Sequence, residues 1–267
     1  MSALTRKLRH AMWVLNGYLG RTVSVDIPQK VTVLITYYHP SRMEHIDPQL
    51  RNILKCNFVD KLVVSNHNPD IKIEEKVKIK DKRLHFISQT IKRGCGYRWI
   101  VANELNPKYL IVVDDDILFF PAQLARLFKR LVAEPMMPHG ITGMLNLEDH
   151  ELEYHEKKDM TVDYLCEAYA VTREQVSRYM ELRRLVGAKD GMTEMIDSAA
   201  DFMLISRTGS HKPKIHNVGR LFKSATFKQV GVAVHKNEGF DKIMLEVGNV
   251  INGVEIQGSK EPGVAAS

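Results

Sequence analysis

Residues 109–120, YLIVVDDDILFF, constrain the fold more than any other stretch of this chain. Tyr109 to Val113 are apolar and β-prone. An apolar run this short suits a strand buried on both faces. Three carboxylates follow without a break: Asp114, Asp115 and Asp116. Residues 117–120 are apolar again, and Pro121 opens a predicted helix over 121–133. In open α/β sheets, ligands bind at the carboxyl ends of the strands. Carboxylates crowded there raise one another's pKa unless a cation neutralises them. Asp114 and Asp116 make a D-x-D pattern, which can hold a divalent metal through hard oxygen ligands while the metal grips a phosphate. A solvated acidic turn capping the next helix is the plainer alternative. Three acids directly behind a wholly apolar strand weigh against it.

Upstream, short apolar runs alternate with helical patterns. Strands are predicted at 31–36 (VTVLIT), 61–65 (KLVVS) and 83–87, and helices at 46–55 and 94–104. That order argues for right-handed βαβ units and a mostly parallel central sheet flanked by helices. The 267 residues suffice for one large α/β core. No G-x-G-x-x-G and no P-loop occurs, so dinucleotide and ATP readings lose support. Residues 70–83, rich in lysine, read as a solvated connection. Further on, strands are predicted at 141–145 and 151–156, and helices at 173–186, with Thr172 as N-cap, at 193–206 and at 241–251. Residues 219–238 mix basic and small side chains and read as an ordered loop over a ligand.

Within the 193–206 helix, Asp197 and Asp201 are four apart and share a face. Like charges at that spacing need a partner. Either they sit in solvent beside a basic residue, or they point into an active site.

Residues 1–20 read as a basic amphipathic helix, joined by a linker to the domain at 29–258; 259–267 is a frayed tail. Leu4, Leu8, Met12, Leu15 and Leu19 form its stripe, Arg6, Lys7, Arg9, His10 and Arg21 supply charge, and no acid precedes Asp26. Such a helix can lie on an anionic membrane surface, or pack its stripe on the domain or on a second subunit. A net charge of +6 suits phosphate-bearing ligands or an anionic membrane. It is too weak to imply nucleic acid, and no basic-aromatic motif accompanies it. Cys56, Cys95 and Cys166 lie far apart, which favours a reducing compartment over a disulfide framework. No apolar run approaches the roughly 20 residues of a spanning helix. The expected location is cytoplasmic, peripheral at the inner face of a membrane if residues 1–20 bind one.

Three segments together resemble a known family. VTVLITYYHPSRME, LIVVDDDIL and IDSAADFMLISRTG, in that order, are similar to segments of GT-A glycosyltransferases, and more narrowly of the exostosin C-terminal catalytic domain. The likeness covers most of residues 29–251. It departs at Ile196-Asp197, where the family has two adjacent acids, and at CGYRWIVAN, where Arg98 and Asn103 are spaced differently. The resemblance implies a GT-A fold and transfer of a sugar from a nucleotide-diphosphate donor, UDP-linked, to a hydroxyl of a glycan or lipid-linked acceptor, with retention. It implies a divalent cation, Mn2+ before Mg2+, on Asp116 and Asp114, neutralising the leaving diphosphate as a Lewis acid. It assigns nucleotide-sugar binding to Tyr38, Arg42, Asn66, Arg98 and Asp115. Asp197 becomes the catalytic carboxylate, with Asp201 a secondary acid, and His235 a third metal or diphosphate ligand, unless it is an ordinary surface histidine. With inversion, Asp197 is the general base.

Two other classes compete. A haloacid-dehalogenase-type phosphatase also uses D-x-D after an apolar strand, but on the first strand of its domain, whereas here three strands precede it. A non-catalytic sugar- or lipid-binding protein would need no metal and no Asp197.

Overall fold

The computed structural model describes residues 3–146 and 152–254. Four strands come from the alternating first part of the chain: β1 (Val31–Tyr37), β2 (Val59–Asn66), β3 (Leu84–Ser88) and β4 (Tyr109–Asp114). They lie side by side in the order β3-β2-β1-β4, all parallel. Then follow β5 (Ile117–Leu118), β6 (His139–Asn146), β7 (Leu152–Glu156), β8 (Met160–Thr161), β9 (Tyr164–Thr172), β10 (Lys214–Ile215) and β11 (Phe222–Lys223). β9 inserts antiparallel between β4 and β6, and β10 and β8 complete the far edge. The sheet is thus parallel where βαβ units build it and mixed beyond β4.

Both faces of this sheet are buried, as the continuous apolar runs require. Val33, Ile35, Ile111 and Val113 enter one core, and Leu34, Leu110 and Val112 the other, with the two-residue alternation of a strand. Helices α1 (Ala3–Leu19), α2 (Ile46–Leu54), α3 (Tyr97–Leu105), α4 (Pro121–Ala133) and α5 (Arg173–Gly187) follow the predicted order. α2 and α4 cover the first face through Leu50, Ile53, Leu124 and Phe128. α3 and α5 cover the second through Trp99, Tyr179 and Leu182. Thr172 caps α5: its hydroxyl accepts from Gln175 N at 3.4 Å, and Gln175 Oε1 accepts from Thr172 N at 2.9 Å.

The late helix is not continuous. α6 (Met192–Met195) runs into a π turn over Ile196–Ala200 and then α7 (Asp201–Ser206); α8 (Phe240–Asn252) closes the described chain. The cause is the loop before α3. Gly96 N donates to Asp197 O at 2.9 Å, and Cys95 Sγ to Ser198 O at 3.1 Å, so two carbonyls of this turn bond outside their own helix. Glycine permits the approach: a Cβ at Gly94 would lie 2.1 Å from Asp197 O.

Helix α1 packs on α2, but not through Leu8, Leu15 or Leu19. The buried side is Trp13, whose Nε1 donates to Phe119 O at 3.0 Å, and Gly17, where a Cβ would stand 3.0 Å from Pro48 O. Leu8, Met12, Leu15 and Leu19 face outward. The tail at 259–267 lies outside the described residues. Trp13→Ala removes a fully buried indole and should lower unfolding free energy by about 3–5 kcal/mol in urea titration. A loss below about 1 kcal/mol would mean that α1 is not docked in solution.

Candidate active site

A cavity of about 1130 Å3 opens at the carboxyl ends of β1 and β4. β4 ends at Asp114, and the turn to β5 carries Asp115 and Asp116, so the apolar strand delivers all three acids to the cavity wall. Two arginines meet them. Arg42, on the turn after β1, places Nη1 2.5 Å from Asp115 Oδ1 and Nη2 2.9 Å from Asp116 Oδ2. Arg98, in the first turn of α3, pairs through Nη1 with Asp114 and through Nε with Asp201 Oδ2 at 2.7 Å. Burial is the largest influence on these carboxyls. It pushes Asp114 up to about 6 and Asp115 to about 7, and raises Asp116, against the lowering pull of the arginines.

Two arginines do not saturate three acids. Asp116 Oδ1 is buried and has no hydrogen-bond partner. A buried carboxylate oxygen without a partner, in the wall of a cavity, is what a cation would relieve. Among the described residues no three His, Cys, Asp or Glu side chains converge as a ligand set. Asp114, Asp116 and His235 share the cavity wall without forming one. The donor set fits a hard divalent ion of the kind held by one or two carboxylates and completed by water and phosphate oxygens. His235 lies against Phe227, ring centroids 5.3 Å apart and planes tilted by 45°, and burial followed by nearby cations lowers its pKa.

The remaining expected residues divide. Tyr38 lines the cavity and is 45% exposed, open to a ligand. Asn66 is spent on its own loop: Nδ2 donates to Ile71 O at 2.6 Å and Oδ1 accepts from Asn68 N at 3.1 Å. Asp197 turns to α5, where Arg183 holds both its oxygens at 2.9 and 2.6 Å, and it is not among the cavity-lining residues. Asp201 does line the cavity but is buried under Arg98 and Trp99, whose Nε1 donates to its Oδ2 at 2.7 Å. Asp197 and Asp201 therefore do not form a pair aimed at a substrate. The π turn and the two different arginines separate them.

Two cavity residues were not anticipated. Glu167 stands in β9, buried, with φ +69°, a left-handed conformation rare outside glycine. It sits at a bulge: from Gly140 to Thr142 β6 advances two residues, while the partners Tyr169 to Cys166 span three. The extra residue re-aims the local side chains. Thr142 Oγ1 donates to Glu167 Oε2 at 3.0 Å and Lys223 Nζ to Oε1 at 2.5 Å, yet burial dominates and pushes the carboxyl up to about 7. The sequence signal was a lone acid inside an apolar strand. His67, after β2, is the second. Its Nδ1 meets Gly94 O at 3.1 Å, its Nε2 has no partner, and burial lowers it to about 4, so the ring is neutral.

The C-terminal segment completes the wall. β11 pairs antiparallel with β5, Lys223 opposite Ile117, and Ser224 N donates to Asp116 O at 2.8 Å. Lys223 thereby reaches Glu167 and lies 4.0 Å over the Phe227 ring. Residues 219–238 form an ordered wall made of this short strand and 3-10 turns.

Among solved structures, a crystal structure of GalNAc-T7 with UDP, GalNAc and Mn2+ is similar, with TM-score 0.55 and 9% identity over 83% of this chain and 48% of that one. This chain thus spans about half the length of that protein. CMP:2-keto-3-deoxy-manno-octonic acid synthetase complexed with CTP aligns with TM-score 0.48 and 12% identity over 72% of this chain and 91% of that one. No known family and no curated protein matches the sequence. The fold is a mixed α/β, GT-A-like fold with a central, mostly parallel sheet flanked by helices, similar to that of the GalNAc-T7 structure.

Two outcomes follow from the charges. Arg98→Met leaves Asp114 and Asp201 without their cation and should cost about 3–5 kcal/mol of stability by denaturant titration; a near-neutral change would show that water serves them equally. Glu167 behaves oppositely to a salt-bridged surface acid. Its carboxyl rises from 4.5 to about 7, so between those values the folded chain keeps a proton that the unfolded chain has lost. Its contribution to stability therefore declines as pH rises through that window, by on the order of 3 kcal/mol. Glu167→Gln should lose less stability than wild type between pH 5 and 7, and parallel curves would contradict the raised pKa.

Proposed function

We propose that this protein transfers a sugar from a nucleoside-diphosphate donor, UDP-linked, to a hydroxyl group of a glycan or lipid-linked acceptor. The observation that carries the proposal is the buried acidic strand end in the wall of a large cavity, with Asp116 Oδ1 left unpaired. A structural acid cluster would be fully neutralised by its own arginines. An unpaired oxygen beside Arg42, Arg98 and Lys223 suits a ligand that brings cations and anions together. A metal-bound nucleoside diphosphate is such a ligand, and the UDP and Mn2+ in the GalNAc-T7 structure support the reading.

Asp114 and Asp116 would hold the divalent ion, Mn2+ before Mg2+, and it would supply Lewis-acid neutralisation of the leaving diphosphate. Arg42 keeps Asp115 and Asp116 oriented through its two Nη atoms. Lys223 and Lys228 line the same wall and would meet diphosphate oxygens. Tyr38 offers an exposed ring for stacking, and the neutral His67 offers Nε2 as a hydrogen-bonding group for the nucleoside. Glu167 is the buried carboxylate we assign to the sugar. Its proton affinity lies near neutrality, where a group that accepts or shields positive charge is most useful. Asp197, held by Arg183, would position the π turn instead.

The three matching segments favour retention and an exostosin-like hexosyl or N-acetylhexosaminyl transfer; an inverted product would make Glu167 the general base. Thermal shift with UDP and GDP, with and without Mn2+, tests the donor site. One nucleotide should stabilise wild type only with Mn2+, by about 2.7 kcal/mol at a hundredfold excess over Kd. Asp116→Ala should abolish that shift. Absence of any shift in wild type would overturn the proposal.

A further inference from the structure

Helix α1 is tied to the domain by its tryptophan side, which leaves its leucine side to be explained. Leu8, Met12, Leu15 and Leu19 are 61, 56, 55 and 80% exposed. Their spacing of four, three and four residues puts them in one stripe along the helix. No described residue covers that stripe. A docked helix that spends its indole inward and holds four large apolar side chains in water has a second surface to satisfy.

The charge around the stripe selects the occupant. Residues 1–25 contain Arg6, Lys7, Arg9 and Arg21 and no Asp or Glu. The fold then adds a second basic segment from far along the chain. Tyr18 at the end of α1 donates its hydroxyl to Asp47 Oδ2 at 2.9 Å. Asp47 Oδ1 accepts from the backbone N–H groups of Lys78 and Ile79 at 2.7 and 2.9 Å. One carboxylate, Asp47 on α2, thereby ties residues 78–79 and the C-terminal end of α1 to the same point. Val77 and Ile79 pack on the core, and the alternating Lys76, Lys78, Lys80 and Lys82 are exposed. The acids nearby are partly neutralised: Asp81 is paired with Arg83 at 2.8 Å, Asp47 with Arg51 at 2.7 Å, and Glu75 with Lys72 at 3.8 Å; Glu74 accepts from Ser88 Oγ at 3.0 Å.

We propose that helix α1 and the lysine-bearing segment 76–82 form one docking face for an anionic lipid surface. The leucine stripe would enter the boundary between headgroups and acyl chains, and the lysines would rest on the headgroup charge. A second copy of this chain is a poorer occupant. A two-fold contact through α1 would set its cations against the same cations, with no acid in the helix to answer them.

Flotation of the full chain with vesicles of phosphatidylcholine, with and without phosphatidylglycerol, tests this at low salt. Wild type should float with the anionic vesicles alone and dissociate as salt rises. Leu8→Asp with Leu15→Asp should abolish flotation; both positions are exposed, so circular dichroism should show an unchanged fold. Lys78→Gln with Lys80→Gln should lower the partition coefficient roughly 30-fold. Wild type that remains free of both vesicle types overturns the proposal, as does a leucine double variant that floats like wild type. A dimer in sedimentation that Leu15→Asp dissociates, without vesicle binding, would assign the face to a second copy. None of these readouts depends on a nucleotide or a metal.

Discussion

The guanidinium of Arg98 is the interaction on which the acidic end of the sheet depends. It lies between Asp114, at the end of the central strand, and Asp201, in the late helix, 103 residues further on than Arg98 itself. It also stacks 4.8 Å over the Tyr169 ring and donates to its hydroxyl at 3.3 Å. One buried cation thus joins β4, β9, α3 and α7. A planar group with donors on several edges can serve two carboxylates and an aromatic face at once, which an ammonium cannot. Without it, two carboxylates would stand in a low-dielectric wall with nothing to offset their desolvation.

Arg42 performs the corresponding task on the outer side, but incompletely. It bonds Asp115 and Asp116 and leaves Asp116 Oδ1 unpaired. The structure therefore separates the acids by their partners. Asp114 is tied to the core by Arg98, Arg42 is shared between Asp115 and Asp116, and Asp116 Oδ1 alone of their buried oxygens is left without a hydrogen bond. The C-terminal segment bears on the same point, since β11 sets Lys223 beside Glu167 and Ser224 N on the Asp116 carbonyl. Any movement of that segment would alter the charge at both carboxylates.

Much of this architecture is legible in the residues. The apolar runs at 31–36 and 109–113 name two neighbouring buried strands, because only a strand covered on both faces is apolar without alternation. Pro121 and Thr172 mark helix starts where the structure has them, since fixed φ and a capping hydroxyl are local chemistry. Local chemistry also misleads. The spacing of Asp197 and Asp201 is helical, yet the approach of Gly94 and Cys95 opens a π turn and gives the two acids different arginines. The leucine stripe of α1 is a stronger pattern than Trp13, yet the indole is what packs, because Gly17 brings that side of the helix against α2.

By itself, the sequence determined the strand that carries the acids, their number and their place at a carboxyl end, because these follow from hydrophobic periodicity and from the order of strands and helices. It also determined the basic amphipathic character of residues 1–20. Only the tertiary structure decided which carboxylate oxygen is left without a partner. That depends on which arginine arrives from a distant segment, and on burial deep enough to shift a proton. Glu167 was decided in the same way. A lone acid in an apolar strand is its one sequence signal, but the bulge in β9, the positive φ and the approach of Lys223 are what set a strained, buried carboxylate in the wall of the same cavity as the aspartates. Contacts between residues far apart in sequence carry that information, and periodicity cannot encode them.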